Sequence, residues 1–397
     1  MQDPIVIVHG ARTPVGTFLG ALSSVSAVKL GIVAAKGALE RAHVDPDIVD
    51  AVFVGNVIQS SKDAVYLARR IGMGAGVPET APALIVNRLC GSGLEALIQG
   101  AKAIAMGEAR VVLAGGTENM SMIPYVMRGV RQGWKFAKQG GVDDALWSAL
   151  TDPGAECLIG ETVEHLADAC EISREDADTF AARSQKLASA AQASGALARE
   201  IVPVTVKSRR KTLTVDIDQT LRPETSLEVL SKLPPIYPHI GQVCTAGNSS
   251  GLNDAAAMTV MTSASEAKQR GLEPLGILRG WGISGIAPKM MGLGPVTAIQ
   301  IALRHAKLSI DAIDIFEIND AFAAQAVAVL RKLNIPHDRV NPNGGCLALG
   351  HPMGASGTRM ALSALMELQA RDAQYALVTL CIGGGMGIAA VFERAAP

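Results

Sequence analysis

The chain of 397 residues twice places a reactive residue inside a glycine-rich turn and twice follows it with the same elements. Residues 90–120 run Cys90-Gly91-Ser92-Gly93, an Ala-rich helical segment, a Val-Val-Leu strand and then Gly115-Gly116. Residues 350–385 run Gly350-His351-Pro352-Met353-Gly354, an Ala/Leu helical segment, an Ala-Leu-Val strand and then Cys381-Ile382-Gly383-Gly384-Gly385. A repeat of this kind constrains the fold more than any single segment does. Two similar α/β halves that face each other would bring their glycine turns to one place; the alternative is chance similarity between two strand–turn–helix units.

The rest of the chain fits that frame. Short runs rich in Val, Ile and Leu at 5–8, 51–54, 111–114, 275–279, 313–317 and 376–380 read as strands buried on both faces of a sheet. They alternate with helical segments at 28–41, 94–106, 296–306, 321–333 and 356–368, and Pro295 suits a first helical position. The pattern predicts an α/β fold. Residues 121–251 are more polar and irregular, and one clear helix is expected there. Ser173 caps it, Asp176 completes a capping box and Gly195 closes it. The expected organisation is a first half at 1–120 continued at 252–272, an insertion at 121–251 that covers the core, and a second half at 273–397.

Composition excludes several functions. Lys and Arg number 36 against 37 Asp and Glu, so no basic excess exists to neutralise nucleic-acid phosphates. No apolar run reaches the ~20 residues of a membrane span. The start lacks a charged region followed by an apolar one, so a leader segment is expected to be absent or already removed. The cysteines are Cys90, Cys157, Cys170, Cys244, Cys346 and Cys381; none form a C-x-x-C pair, and no metal site is expected. A reducing interior suits them, either bacterial cytoplasm or mitochondrial matrix.

Cys90 lies in Asn87-Arg88-Leu89-Cys90-Gly91-Ser92-Gly93 ahead of a helix. The positive end of the helix dipole favours its thiolate. The bland alternative is a small buried hydrophobe. His351, held before Pro352 in a glycine turn, is the usual type of base for a Cys nucleophile. Cys381 and the glycines after it offer a second thiol for proton transfer and backbone N–H groups for an oxyanion. Asn319 and Asp320 precede a helix, as an N-cap or as an amide that positions water. The small polar segment at 245–251 suits a groove. Arg222 and the basic run at 207–211 suit a phosphate or a solvated face, and Met290-Met291 an apolar pocket or the core. Neither a P-loop, an H-E-x-x-H motif nor a G-x-S-x-G elbow occurs. These residues describe Cys-dependent acyl transfer with a His partner and a second thiol. One Cys, one His and an Asn also describe a cysteine hydrolase, which needs no second thiol.

Five motifs in order resemble a thiolase: Asn87 to Gly93, Glu317-Ile318-Asn319-Asp320-Ala321-Phe322-Ala323, Asn341-Pro342-Asn343-Gly344-Gly345, Ala348 to Gly357, and Cys381 to Gly385. The resemblance runs from Val8-His9-Gly10-Ala11-Arg12-Thr13-Pro14 to the end. Residues 55–69 resemble the mitochondrial 3-ketoacyl-CoA thiolases and bacterial β-ketothiolases more than the acetoacetyl-CoA thiolases. It implies a five-layered αβαβα sandwich of two similar halves with an inserted loop domain. It also implies cleavage of 3-ketoacyl-CoA, or the reverse condensation, without a permanently bound cofactor and with coenzyme A as substrate. Cys90 would be acylated, His351 its base and Cys381 a proton shuttle. N–H groups of Cys90 and Gly383 would hold one oxyanion; His351 and a water on Asn319 would hold the thioester oxygen. Ala246 and Ser250 would lie along pantetheine, Arg222 near the nucleotide, and Leu158, Met291 and Phe322 around the acyl chain. Acyl-CoA, CoA and further copies of the chain, as a dimer or dimer of dimers through a loop at 121–147, would be its partners.

Three departures bear on specificity. Asp320 stands where the family often has Glu, Leu158-Ile159-Gly160 replaces a His/Met-Gly pair, and the segment 241–246 has one residue more, expected to bulge a strand. Two other readings are a decarboxylating or hydroxymethylglutaryl-type condensing enzyme and a non-catalytic binding subunit. Cys381 argues against the first, and the joint presence of Cys90, His351 and Cys381 against the second.

Overall fold

The computed structural model describes residues 3–133, 141–207 and 212–395. Residues 208–211 of the basic run, and 134–140 of the expected oligomerisation loop, lie outside the described residues.

Ten strands make one mixed sheet. They are β1 (Ile5–Arg12), β2 (Gly16–Thr17), β3 (Ala51–Gly55), β4 (Ala83–Val86), β5 (Val111–Asn119), β6 (Asn253–Ser263), β7 (Gly276–Gly285), β8 (Ile315–Ile318), β9 (Tyr375–Ile382) and β10 (Met386–Arg394). The order is β8-β9-β10-β7-β1-β6-β5-β3-β4, with β2 paired to β6. β3 runs parallel to β5, β5 antiparallel to β6 and β6 antiparallel to β1. The second half repeats these orientations: β8 parallel to β9, β9 antiparallel to β10, β10 antiparallel to β7. The sequence repeat is therefore a topological repeat. The halves join where Ile5, Val6 and Ile7 pair with Leu278, Ile277 and Gly276.

Eight helices matter for the site: α1 (Ala27–Arg41), α2 (Leu67–Ala75), α3 (Ser92–Ala105), α4 (Ile159–Ala169), α5 (Arg174–Ala193), α6 (Gly294–Ala306), α7 (Ala323–Leu333) and α8 (Met353–Arg371). Strand alternation divides the core into layers. Val111 and Leu113 pack outward with α1 and α2, whereas Val112 and Ala114 point inward against α3 and α8. In the second half Leu377 packs outward with α6 and α7, and Val378 and Leu380 point inward. The layers are thus helices, sheet, the central α3–α8 pair, sheet and helices. α3 and α8 touch closely because glycines face each other across them. A Cβ on Gly93 would lie 2.7 Å from the Gly354 carbonyl, and one on Gly357 would lie 2.5 Å from the Leu94 nitrogen. Thr358 Oγ1 donates to the Gly93 carbonyl at 3.0 Å across the same crossing.

Arg12 fastens the insertion to β1. It is buried, donates to both oxygens of Asp218 at 2.7 and 2.9 Å, and donates to Glu200 at 2.6 Å. Where one helix was expected in the insertion, the structure has two long ones, α4 and α5. α4 lacks a Ser or Thr cap; Glu161 instead accepts the Leu158 N–H at 2.7 Å. α5 has its expected box, with Asp176 N–H on Ser173 Oγ at 3.1 Å and Ser173 N–H on Asp176 at 2.9 Å. Gly195 follows it at φ +80°. The strand expected at 313–317 starts at Ile315, because Ile310–Ala312 form a 3-10 turn. Segment 241–246 is not a strand. Its extra residue is absorbed in a loop whose Val243 and Cys244 N–H groups donate to Glu164 at 3.1 and 2.7 Å.

Candidate active site

The turn before α3 is built to present a side chain. Leu89 has φ +47°, a left-handed conformation that costs a branched residue energy. Its N–H donates to Asn87 Oδ1 at 3.0 Å, and its carbonyl accepts the Ser92 hydroxyl at 2.7 Å and the Ser92 N–H at 2.9 Å. These bonds hold Cys90 at the mouth of a cavity of about 200 Å³.

His351, Cys381 and Gly383 line the same cavity, as do Leu158, Met291 and Phe322. With Ser250, which also borders the cavity, the structure brings together seven residues singled out with Cys90 in the sequence. Arg222, Ala246 and Ser250 line an adjoining groove of about 640 Å³. Ile236, Ser249, Ser250, Gly251 and Leu252 border both spaces, so the groove leads into the cavity. The Ser250 N–H donates to the Ala321 carbonyl at 2.8 Å and the Ala323 N–H to Asn248 at 2.9 Å, which sews the groove loop to the segment carrying Phe322.

Asn319 is buried behind the cavity wall, not among its lining residues, and neither amide atom has a protein partner. The N-cap reading fails for both Asn319 and Asp320. Phe322 occupies the cap position of α7. Asp320 instead accepts the Cys346 N–H, which starts the short helix Cys346–Leu349 leading to His351. Burial pushes the Asp320 carboxyl up to about 7 against the pull of that N–H.

His351 is fixed from two sides. Its N–H donates to Asn253 Oδ1 at 2.9 Å, and its Nδ1 lies 2.7 Å from Ser356 Oγ. Ser356 Oγ also lies 3.0 Å from the Pro352 carbonyl, to which its hydroxyl donates. Ser356 then accepts from Nδ1–H, which leaves the Nε2 lone pair free. Nε2 is buried and has no protein partner. Burial, with Arg359 nearby, lowers the His351 pKa to about 4, so the ring is neutral.

The expectation of a resting Cys90 thiolate is corrected. Burial pushes the thiol up to about 11; N–H groups of Gly383 and Cys90 pull it down, and Glu118 opposes them. Desolvation outweighs the helix dipole because the thiol sits between two layers rather than at a wet helix end. Burial also raises the Cys381 thiol well above its ordinary value, with Cys90 and Cys346 adding to it. Thiol and imidazole rest as a neutral pair. The Gly383 N–H reaches the Cys90 sulfur. Gly384 N–H donates to buried Asp152 at 2.7 Å, which anchors that loop.

Sequence reasoning missed Met120, Trp147, Leu150, Tyr237 and Met353, which complete the apolar lining. It also missed Asn253, Ser356 and Asp152. Ser356 had a usable signal, five residues after His351 in the first turn of the following helix. The others reach the site from distant segments and had none. Among the described residues, no group of His, Cys, Asp and Glu is placed to hold a metal ion, and no helix is long and apolar enough to cross a membrane.

A thiol, an imidazole and a second thiol, set in glycine turns between two like α/β halves, define a Cys-dependent acyl-transfer site. The chain belongs to the thiolase family: residues 5–265 match the family model for "Thiolase, N-terminal domain" and 272–394 that for "Thiolase, C-terminal domain". It is 43% identical to the human "3-ketoacyl-CoA thiolase, mitochondrial" over 99% of this chain and 98% of that protein. It is 45% identical to "Beta-ketothiolase BktB" of Cupriavidus necator over 99% and 100% of the two chains. The crystal structure of the human mitochondrial 3-ketoacyl-CoA thiolase in complex with CoA superposes with a TM-score of 0.96 at 42% identity, covering 99% and 98% of the chains. That of the Bacillus anthracis acetyl-CoA acetyltransferase does so with a TM-score of 0.96 at 39% identity, covering 99% of each.

Proposed function

We propose that this thiolase, an acyltransferase, cleaves short- to medium-chain 3-ketoacyl-CoA with CoA, or runs the reverse condensation, through an acyl-Cys90 intermediate. The observation that carries the reading is the shared cavity of Cys90, His351, Cys381 and Gly383, continuous with the groove at Arg222, Ala246 and Ser250.

As the Cys90 sulfur adds to the ketone carbon, its proton passes to His351 Nε2. N–H groups of Cys90 and Gly383 receive the oxyanion. The bond between the ketone carbon and the α-carbon then breaks. Its electron pair leaves as the acetyl-CoA enolate, whose oxygen faces the new His351 N–H and a water on Asn319. Cys381 protonates the α-carbon, which releases acetyl-CoA. The Cys381 thiolate next takes the proton of CoA, whose sulfur attacks the acyl-Cys90 thioester. The departing Cys90 sulfur recovers its proton from His351, and both thiols are restored.

Arg222 would bind the CoA phosphates, Ala246 and Ser250 the pantetheine, and Leu158, Met291 and Phe322 the acyl chain. Residues 121–251 would then supply the CoA groove and, with exposed Tyr125, Met127, Val130 and Val142, the surface for a dimer of dimers. CoA is a substrate, and no resident cofactor enters these steps. The compartment proposed is bacterial cytoplasm. The test is incubation with acetoacetyl-CoA and 3-ketohexanoyl-CoA, each with and without CoA, followed by mass spectrometry. CoA-dependent acetyl-CoA and the shortened acyl-CoA are expected. Absence of turnover together with unacylated Cys90 would overturn the reading.

A further inference from the structure

Glu118 is a fully buried carboxyl at the end of β5 to which the steps above give no role. Its Oε2 accepts the N–H groups of Val57 at 3.0 Å and Gly354 at 2.9 Å. Its Oε1 accepts the Ile58 N–H at 3.2 Å and Asn56 Nδ2 at 3.1 Å. Four donors thus fill both oxygens, and a proton on Glu118 would have to displace one of them.

One donor belongs to the segment that carries His351, and the other three to segment 56–58, which is bonded to the Cys90 turn. Gly354 follows His351 by three residues and opens α8. Val57 is joined to the nucleophile turn: Asn87 Nδ2 donates to its carbonyl at 3.0 Å, and Asn87 Oδ1 accepts the Leu89 N–H at 3.0 Å. Val57, Ile58, Cys90 and Met353 also share one apolar cluster. A path of hydrogen bonds therefore runs from the His351 loop through Glu118 to the residue before Cys90. Little slack remains in it, since a Cβ on Gly354 would meet the Thr117 carbonyl at 2.5 Å.

We propose that Glu118 is a positioning residue whose ionised carboxylate ties the Cys90 turn to the His351 loop and sets the separation of sulfur and imidazole. It touches neither substrate nor reacting atoms. Among the described residues, the titratable groups around Cys90 are Glu118 from β5, His351 from the loop before α8, Cys381 from β9 and, across the cavity, Tyr237 from the insertion. Of these Glu118 is the one that carries charge above neutral pH, and it is negative. Its second effect is to keep Cys90 a thiol until His351 takes the proton. Burial raises the Glu118 carboxyl to about 7 against the pull of its donors, so the charge is fully present only above neutral pH.

Two variants separate geometry from charge. Asn87→Ala cuts the path and leaves the charge. Glu118→Gln removes the charge and turns an amide N–H toward two backbone N–H groups. Thiolysis of acetoacetyl-CoA is expected to lose about tenfold or more in kcat in both, with KM little changed. The pH midpoint for Cys90 alkylation by iodoacetamide, read by peptide mass, is expected to move down in Glu118→Gln and to stay in Asn87→Ala. Wild-type kcat in both variants overturns the proposal. So does an unmoved midpoint in Glu118→Gln, which would mark a packing defect. Should Glu118→Gln not fold, as judged by circular dichroism, Asn87→Ala decides: lost kcat supports the path and wild-type kcat overturns it. The proposal rests on the thiolase reading. A wild-type protein without turnover would defeat that reading, while the alkylation midpoint would still report on Glu118.

Discussion

A single hydroxyl decides which nitrogen of His351 is basic. Ser356 donates to the Pro352 carbonyl and accepts from Nδ1, which keeps the lone pair on Nε2. Ser356→Ala removes that acceptor and lets the ring change tautomer. A fall in kcat of about 10- to 100-fold with little change in KM is expected from steady-state thiolysis. Equal kinetics in the variant would show that Asn253 and packing orient the ring unaided. His351 also makes stability depend on pH. The folded ring takes a proton only near 4, the unfolded ring near its ordinary 6.5. The folded state therefore binds fewer protons in that window. The contribution is whole above 6.5 and is lost as pH falls toward 4, reaching about 3 kcal/mol. Urea unfolding between pH 4 and 7 should show a shallower acid loss in His351→Asn than in the wild type. Parallel curves would refute the assigned burial of the ring.

At the scale of elements the crossing of α3 and α8 matters most. The two helices start beside each other, and Cys90 and His351 precede those starts. Glycines at the crossing let backbone meet backbone, so the absence of Cβ atoms sets how closely the two helices approach. Gly357→Ala places a methyl group 2.5 Å from the Leu94 nitrogen, which no side-chain rotation relieves. A destabilisation of about 1–3 kcal/mol is expected in denaturant unfolding. A stability equal to the wild type would mean that α8 shifts at no cost. The glycines were visible in the sequence as a pattern, but their partners were not. Gly116 shows this: a Cβ there would fall 1.9 Å from the Gly354 carbonyl, a residue more than two hundred positions away. The Asn319–Asp320 pair shows the opposite failure. Local sequence offered a helix cap, yet tertiary contact gave Asp320 to the Cys346 N–H, because a buried carboxylate takes whichever buried N–H the fold brings to it.

Over the whole molecule the repeat is a division of labour around one core. α8 has fifteen of its nineteen residues buried, packed between strands of both halves and against α3. Residues 273–397 expressed alone would expose that helix and the inner face of β9 and β10. They are expected to form no cooperative monomer by circular dichroism and light scattering. A folded, monomeric fragment would show that the half carries its own core. The sequence by itself determined the class of fold, the repeat, the Cys, His and Cys turns and the balance of positive and negative charge. These rest on period, spacing and composition, which are local. Only the tertiary structure decided that Cys90 rests as a thiol, that His351 bares Nε2, and that Trp147 and Tyr237 of the insertion join the cavity lining. Desolvation and hydrogen-bond partners come from residues far apart in the chain, and their balance exists only once the layers have closed.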